Sequence, residues 1–207
     1  MTKIILTRHG ETLWNIEGRV QGMMDSPLTE RGLDQARRLA LRLKQEGIQY
    51  LYASDRPRAL ATAEEIKREL ELKVPVLPAP QFRELSFGEW EGKIWAELRV
   101  NYADIFAVWD KSPYLVQIPG GERMEEVAER AWDFLRELMG KHEGETICVV
   151  THGLTLKLVV TKALGYDISD WKRTPWQFNT ALNILEFDGR NIVPEILGDC
   201  SHLEDLE

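Results

Sequence analysis

Thr146-Ile147-Cys148-Val149-Val150-Thr151-His152-Gly153 decides the fold. Thr146 to Val150 reads as a continuous apolar strand, the kind buried on both faces of a parallel sheet. It leads into an imidazole with a glycine behind it. The chain opens in the same way: the short run Lys3 to Arg8 leads into His9 and Gly10. In open α/β sheets, ligands bind just beyond the carboxyl ends of strands. Two neighbouring strands ending like these would turn both rings toward one crevice.

Outward from this pair, strand and helix alternate. Tyr50 to Ser54 is strand-like, and Val74 to Leu77, flanked by prolines, reads as a short strand near an edge. Ala181 to Phe187 and Asn191 to Leu197 flank Asp188-Gly189, a hairpin signal. Between them lie amphipathic helices. Thr29 caps one in which Leu33, Ala36, Ala40 and Leu43 hold the period until Gly47 ends it. Ala59, Ala63, Ile66 and Leu70 mark a second, and Met124, Val127, Ala128, Ala131, Leu135 and Leu138 a third. Leu154 to Leu164 is an apolar fourth. The pattern predicts an α/β fold: a three-layer α/β/α sandwich with a mostly parallel sheet and an antiparallel hairpin near the end. No repeat, low-complexity tract or linker interrupts residues 1–207, so a single domain is expected.

Of the 207 residues, 43% are hydrophobic, which suffices for a core and excludes disorder over most of the chain. Lys and Arg number 26 against 34 Asp and Glu, a net charge of −8. That balance argues against nucleic acid or an anionic membrane as partner, yet allows a small anionic substrate held by local positive charge. No apolar run approaches the roughly 20 residues of a membrane span. Met1 to Arg8 is too short and charged too soon for a secretory signal, so a cytoplasmic location is expected. Cys148 and Cys200 lack metal-site or disulfide spacing, and Cys148 reads as a small buried hydrophobe.

Arg8 is a costly charge at the end of an apolar strand unless it meets an anion. Arg58 sits in the first turn of a helix, where a cation opposes the helix dipole, so it is expected to reach toward an anion as well. Two imidazoles, two guanidiniums and a loop containing Gly10, Gly18 and Gly22 suit phosphate. Guanidinium matches phosphate oxygens bidentately. A neutral imidazole can attack phosphorus in line while cations hold the equatorial oxygens. Zinc is the rival for a histidine pair, but no His-x-His or His-x-x-x-His spacing occurs, and adjacent arginines would repel the ion. Neither metal nor cofactor is expected.

Arg8-His9-Gly10-Glu11-Thr12-Leu13-Trp14-Asn15 resembles the signature of the histidine phosphatase superfamily, the phosphoglycerate-mutase-like proteins. The resemblance continues through Gly18-Arg19-Val20-Gln21-Gly22, Asp25-Ser26-Pro27-Leu28-Thr29-Glu30-Arg31-Gly32 and Ser54-Asp55-x-x-Arg58-Ala59. It recurs in Arg83-Glu84, Phe87-Gly88-x-Trp90-Glu91-Gly92, Pro119-Gly120-Gly121-Glu122 and Thr151-His152-Gly153. It implies that His9 is the nucleophile that becomes phosphohistidine. It also implies that Arg8, Arg58 and His152 form the phosphate pocket, with His152 stabilising the group in transfer. Asn15 and Gln21 are implied as further donors, and Gly22 and Gly153 complete the expected substrate-binding set. Glu84 resembles the general acid that then activates water. A leaving alkoxide needs a proton, and a carboxyl beside a bound phosphate dianion retains one more readily. Glu11 is expected to be structural. His142 is expected to lie exposed at a helix end. His202 resembles a His-Leu near the C-terminus of related phosphatases, so the tail is a candidate to fold back over the site.

The implied activity is metal-independent hydrolysis of a small phosphomonoester, with α-ribazole 5'-phosphate as one candidate. Phosphoglycerate mutase, metal-independent phosphoserine phosphatase and a non-catalytic phospholigand-binding relative are the alternatives. A binder would not need His9, Glu84 and His152 together. Mutases of the family carry a longer, basic insertion where this chain has positions 93–118, with only Lys93, Arg99 and Lys111 as basic residues. The insertion is instead rich in Trp95, Leu98, Ile105, Phe106 and Trp109, and reads as a lid-like helical segment with an apolar inner face. Phe87 stands where metal-independent phosphoserine phosphatases carry His, which tells against phosphoserine. A homodimer is the one protein partnership left open.

Overall fold

A computed structural model describes residues 1–206. Its strands are β1 (Thr2–Arg8), β2 (Tyr50–Ala53), β3 (Val76–Pro78), β4 (Thr146–Thr151), β5 (Leu182–Phe187) and β6 (Ile192–Asp199). They form one sheet in the order β3-β2-β4-β1-β5-β6. β1, β4, β2 and β3 run parallel, and β5 and β6 add the antiparallel hairpin beside β1. In the β1–β4 pair Arg8 lies opposite Thr151. The next residue of each strand is a histidine, so His9 and His152 leave the sheet side by side.

The helices are α1 (Leu13–Ile16), α2 (Glu30–Arg42), α3 (Pro57–Glu69), α4 (Trp95–Asn101), α5 (Ala103–Trp109), α6 (Met124–Lys141) and α7 (Gly153–Ala163). Alternate residues of the central strands point to opposite faces, as a pleated strand requires. Ile4, Leu6, Ile147 and Val149 pack on Leu135 and Leu138 of α6 and on Leu156 and Val160 of α7. Ile5, Cys148 and Val150 pack on Leu39 and Ala40 of α2 and on Ala63 and Ile66 of α3. The result is the three-layer sandwich, and fully burying each such aliphatic side chain contributes about 1.5–3 kcal/mol. A further cluster joins Trp90, Leu98, Phe106 and Ile118 to Val127 of α6 and Leu158 of α7, which fastens α4 and α5 to the body. No helix among the described residues is long and apolar enough to cross a membrane.

Three local expectations are corrected. α2 stops at Arg42 and the chain turns through Leu43 to Gly47, where a φ of +65° suits glycine. His142 is buried, not exposed, at 3% of its surface. It caps the end of α6, its ring lies 3.7 Å from that of Tyr50, and Nε2 is 2.8 Å from the Tyr52 hydroxyl. β2 supplies that cover from far away in sequence. The C-terminal tail does fold back, but onto Thr180 and the start of α2. His202 Nε2 lies 3.1 Å from Thr180 Oγ1, and Arg31 bonds the Leu206 carbonyl.

Candidate active site

His9 is 2% exposed at the end of β1. Its Nδ1 lies 2.7 Å from the Gly10 carbonyl oxygen, an acceptor, so the ring proton sits on Nδ1. That leaves Nε2 as the unprotonated nitrogen, with a lone pair. Burial, then the charges of Arg58 and Arg8, hold its pKa well below the ordinary imidazole value. The ring is therefore neutral and nucleophilic at neutral pH. Asn179 fixes the backbone behind it by donating to the His9 carbonyl at 3.0 Å.

His152 stands 5.2 Å away, ring centre to ring centre, at 62° to His9. It is fully buried, and its Nε2 lies 2.7 Å from Ser54 Oγ. With the Ser54 hydroxyl assigned as donor to Nε2, the imidazole N–H is on Nδ1. Nδ1 has no partner among the described residues. An unpaired buried donor is costly and marks the place where an acceptor is to arrive.

Arg58 is 1% exposed and held on three sides. Nη1 bonds the Met24 carbonyl at 2.7 Å and Asp25 Oδ1 at 2.6 Å, and Nη2 bonds the Gly22 carbonyl at 2.8 Å. Nε reaches His9 Nε2 at 3.3 Å. Arg8 bonds the Gln177 carbonyl at 3.1 Å through Nη1, while its buried Nε is unpartnered. Burial lowers its pKa to about 10 even though Glu84 opposes the shift, so Arg8 is charged at neutral pH. Gly153 backs Arg8: a Cβ there would sit 3.3 Å from Nε.

Glu84 does not pair with Arg83, which forms a two-point ion pair with Asp55 instead. Three N–H groups converge on the Glu84 carboxyl, those of Leu85, Leu154 and Thr155 at 3.0–3.1 Å, and the Thr155 hydroxyl, whose proton goes to the Arg83 carbonyl, lies 3.0 Å from Oε1. Two of these N–H groups open α7, so the helix that follows His152 also holds the acid across the cleft. Glu11 accepts from Thr29 at 2.9 Å and lies in the loop packing.

The cleft has a volume of about 310 Å³. Arg8, His9, Arg58, Glu84 and Gly153 line its floor, with Asn15, Gln21 and Gly22 to one side, so eight of the sequence-derived candidates meet in one cavity. The ninth, His152, is not part of the lining; its ring packs edge-on against that of His9. Asn15 Oδ1 is taken up by Thr12 and Asn179, which leaves its amide N–H groups for a ligand. Phe87, Trp95, Trp109 and Trp176 form the upper wall, with Arg19 and Arg99. Among the described residues no cluster of three or more His, Cys, Asp or Glu is placed to hold a metal ion.

The sequence profile of the histidine phosphatase superfamily (branch 1) matches residues 4–199. The chain belongs to this superfamily. Its relatives include phosphoserine phosphatase 1 of Hydrogenobacter thermophilus, 33% identical over 206 residues, 98% of this chain and 95% of that protein. The metal-independent phosphoserine phosphatase of Arabidopsis thaliana is 33% identical over 208 residues, 100% of this chain and 85% of that protein. Among solved structures, Bacillus stearothermophilus YhfR superposes with a TM-score of 0.93 at 37% identity, covering 99% of this chain and 100% of that one. These matches make the chain a histidine phosphatase, a phosphoric monoester hydrolase by class.

Within that histidine phosphatase site, residue-by-residue reading missed Ser54, Asn179, Gln177 and Thr155. Ser54 and Thr155 act through hydrogen bonds to His152 and Glu84, and Gln177 only through its carbonyl. Ser54 had a signal, since it opens the quoted Ser54-Asp55 motif. Gln177 and Asn179 had none: they are loop polars brought in beneath β1 by the chain's return before β5.

Proposed function

We propose that this chain is a metal-independent phosphomonoesterase that works through a phosphohistidine on His9, in one domain whose 93–118 segment acts as a lid. The observation that carries the reading is the His9 tautomer. Nδ1 is committed to Gly10 O at 2.7 Å, so Nε2 is the unprotonated nitrogen that attacks, with Arg58 Nε 3.3 Å from it.

The phosphate lies between Arg8, Arg58 and the Nδ1–H of His152, which complement the charge spread over the transferring group. His9 Nε2 attacks phosphorus, the bond to the leaving oxygen breaks, and Glu84 protonates that oxygen. Glu84 then takes a proton from water as the water oxygen attacks phosphorus, and the bond to Nε2 breaks to release inorganic phosphate. Asn15, Gln21, Gly22 and Gly153 bind and bound the substrate. One chain supplies every group named, so a homodimer is not required for the chemistry.

The upper cleft supports an uncharged, planar or apolar leaving group. Arg19 is paired with Glu17, and Arg99 is held in a two-point pair by Asp110, so a second anionic group would have to compete with these carboxylates. That disfavours 3-phosphoglycerate and hence the mutase. Phe87 offers phosphoserine's ammonium and carboxylate no polar partner. α-Ribazole 5'-phosphate, with its planar base, is of the favoured class. A cytoplasmic place suits the two free cysteines, Cys148 and Cys200. A panel of phosphomonoesters assayed after dialysis against EDTA tests the reading. Turnover is expected to persist undiminished. Loss on chelation with recovery on adding a divalent ion would overturn it.

A further inference from the structure

Arg130, on α6 outside the cleft, makes contacts that the chemistry above does not use. Its Nη1 donates to the Gln81 carbonyl at 2.6 Å and its Nη2 to the Glu84 carbonyl at 3.1 Å. One guanidinium thus spans both ends of the turn that carries the acid. Glu122 locks it there, accepting from Nε at 3.0 Å and from Nη2 at 3.1 Å. The same Glu122 carboxylate accepts the Ser86 N–H at 2.9 Å, and the Glu122 N–H returns a bond to the Ser86 carbonyl at 2.9 Å. Glu84 is therefore clamped from behind on both sides.

The rest of the turn is equally tied down. Thr151 Oγ1 donates to the Phe82 carbonyl and Thr155 Oγ1 to the Arg83 carbonyl. The Pro119-Gly120-Gly121-Glu122 loop packs so closely that a Cβ on Gly121 would lie 2.5 Å from the Ser86 carbonyl oxygen. Within this set Arg130 is the charged side chain reaching from a rigid helix to the backbone of the acid itself. An acid must be held within about 0.5 Å of its working position, and an error of about 1 Å can cost roughly 100-fold.

We propose that Arg130, locked by Glu122, is a positioning residue for Glu84, and that it governs the proton-transfer step rather than phosphate capture. The inference rests on the proposed acid role of Glu84. It assigns the Pro119–Glu122 motif a purpose: to hold the lock.

The test measures single-turnover phosphorylation rates for p-nitrophenyl phosphate, whose leaving group needs no proton, and for an alkyl phosphate, whose leaving group does. The proteins are wild type, Glu84→Gln, Arg130→Met, Arg130→Lys and the Glu84→Gln/Arg130→Met double variant, with a thermal melt of each. Arg130→Met is expected to slow the alkyl ester about tenfold more than the nitrophenyl ester. Arg130→Lys is expected to fall between Arg130→Met and wild type, and the double variant to match Glu84→Gln in its substrate ratio. Equal losses on both esters for Arg130→Met, or for Arg130→Lys should the first variant not fold, would overturn the positioning role. Equal losses for Glu84→Gln itself would overturn the acid assignment, a separate outcome visible in the same experiment.

Discussion

Arg58 Nε points at His9 Nε2 from 3.3 Å, so the cation that is to hold the phosphate first holds the lone pair that attacks it. The contact aims Nε2 and, with burial, keeps the ring unprotonated. An incoming phosphate dianion competes for the same guanidinium, so binding the anion and freeing the nucleophile are one event.

The protonation of these rings has a consequence for folding. Burial and then Arg58 lower the pKa of both His9 and His152, so the native state refuses protons that the unfolded chain accepts below about pH 6.5. More protons bound in the unfolded state means that stability rises with pH through this window and falls on acidification. The slope approaches about 1.4 kcal/mol per pH unit per histidine. Urea midpoints between about pH 5 and pH 8 check this. A flatter slope is expected in the His9→Gln/His152→Gln double variant. A midpoint that rises on acidification would contradict the assignment.

Gly22 is where backbone geometry meets the site. Its φ is +56°, and a Cβ would lie 2.3 Å from Glu91 Oε1, the atom that accepts the N–H groups of Met23 and Phe87. Gly22→Ala is expected to lose about 1–3 kcal/mol of stability and to lower kcat/KM, because its carbonyl also holds Arg58. Gly18, at φ +63° with open space around it, is the control. Gly18→Ala is expected to pay only backbone strain, about 1–2 kcal/mol, and to retain activity. Equal kinetic losses in the two variants would refute the role given to the Gly22 loop.

The aromatic wall sets specificity if the leaving group lies against it. Phe87 packs edge to face on Trp95 and tilted on Trp109, and Trp95 and Trp109 each pack edge to face on Trp90, yet Phe87, Trp95 and Trp109 all still line the cleft. Two alkyl phosphates matched in leaving-group pKa, one bulky and apolar and one compact, isolate this effect. The bulky ester is expected to show the higher kcat/KM, by roughly 10-fold, with the ratio reduced in Trp95→Ala and Trp109→Ala. Equal values for the pair, or 2-phosphoglycerate accumulating from 3-phosphoglycerate, would move the reading toward a mutase.

The floor of the site was legible because its chemistry sits at strand ends. Apolar runs that finish in histidine place His9 and His152, and an arginine at the end of a strand or in a helix's first turn is conspicuous. Glu84 lies in a loop without periodicity and was legible only through the motif around it. What escaped depends on contacts between distant segments. His142 sits in a Gly-Lys-His-Glu-Gly stretch that reads as a wet helix end, and Tyr50 and Tyr52 on β2, distant in sequence, pack against it. Gln177 acts through its backbone carbonyl, which carries no side-chain signature. α2 ends before Gly47 because the last turn tightens at Leu43, a difference of packing and not of composition.

The central claim is that His9 carries the phosphoryl group. Rapid acid quench destroys phosphoramidates, so the measurement is a rapid quench into base with labelled substrate, followed by mapping of the labelled peptide. A base-stable, acid-labile adduct on His9, formed at least as fast as turnover and absent in His9→Ala, is the predicted result. An adduct on His152, or full turnover in His9→Ala, would contradict it.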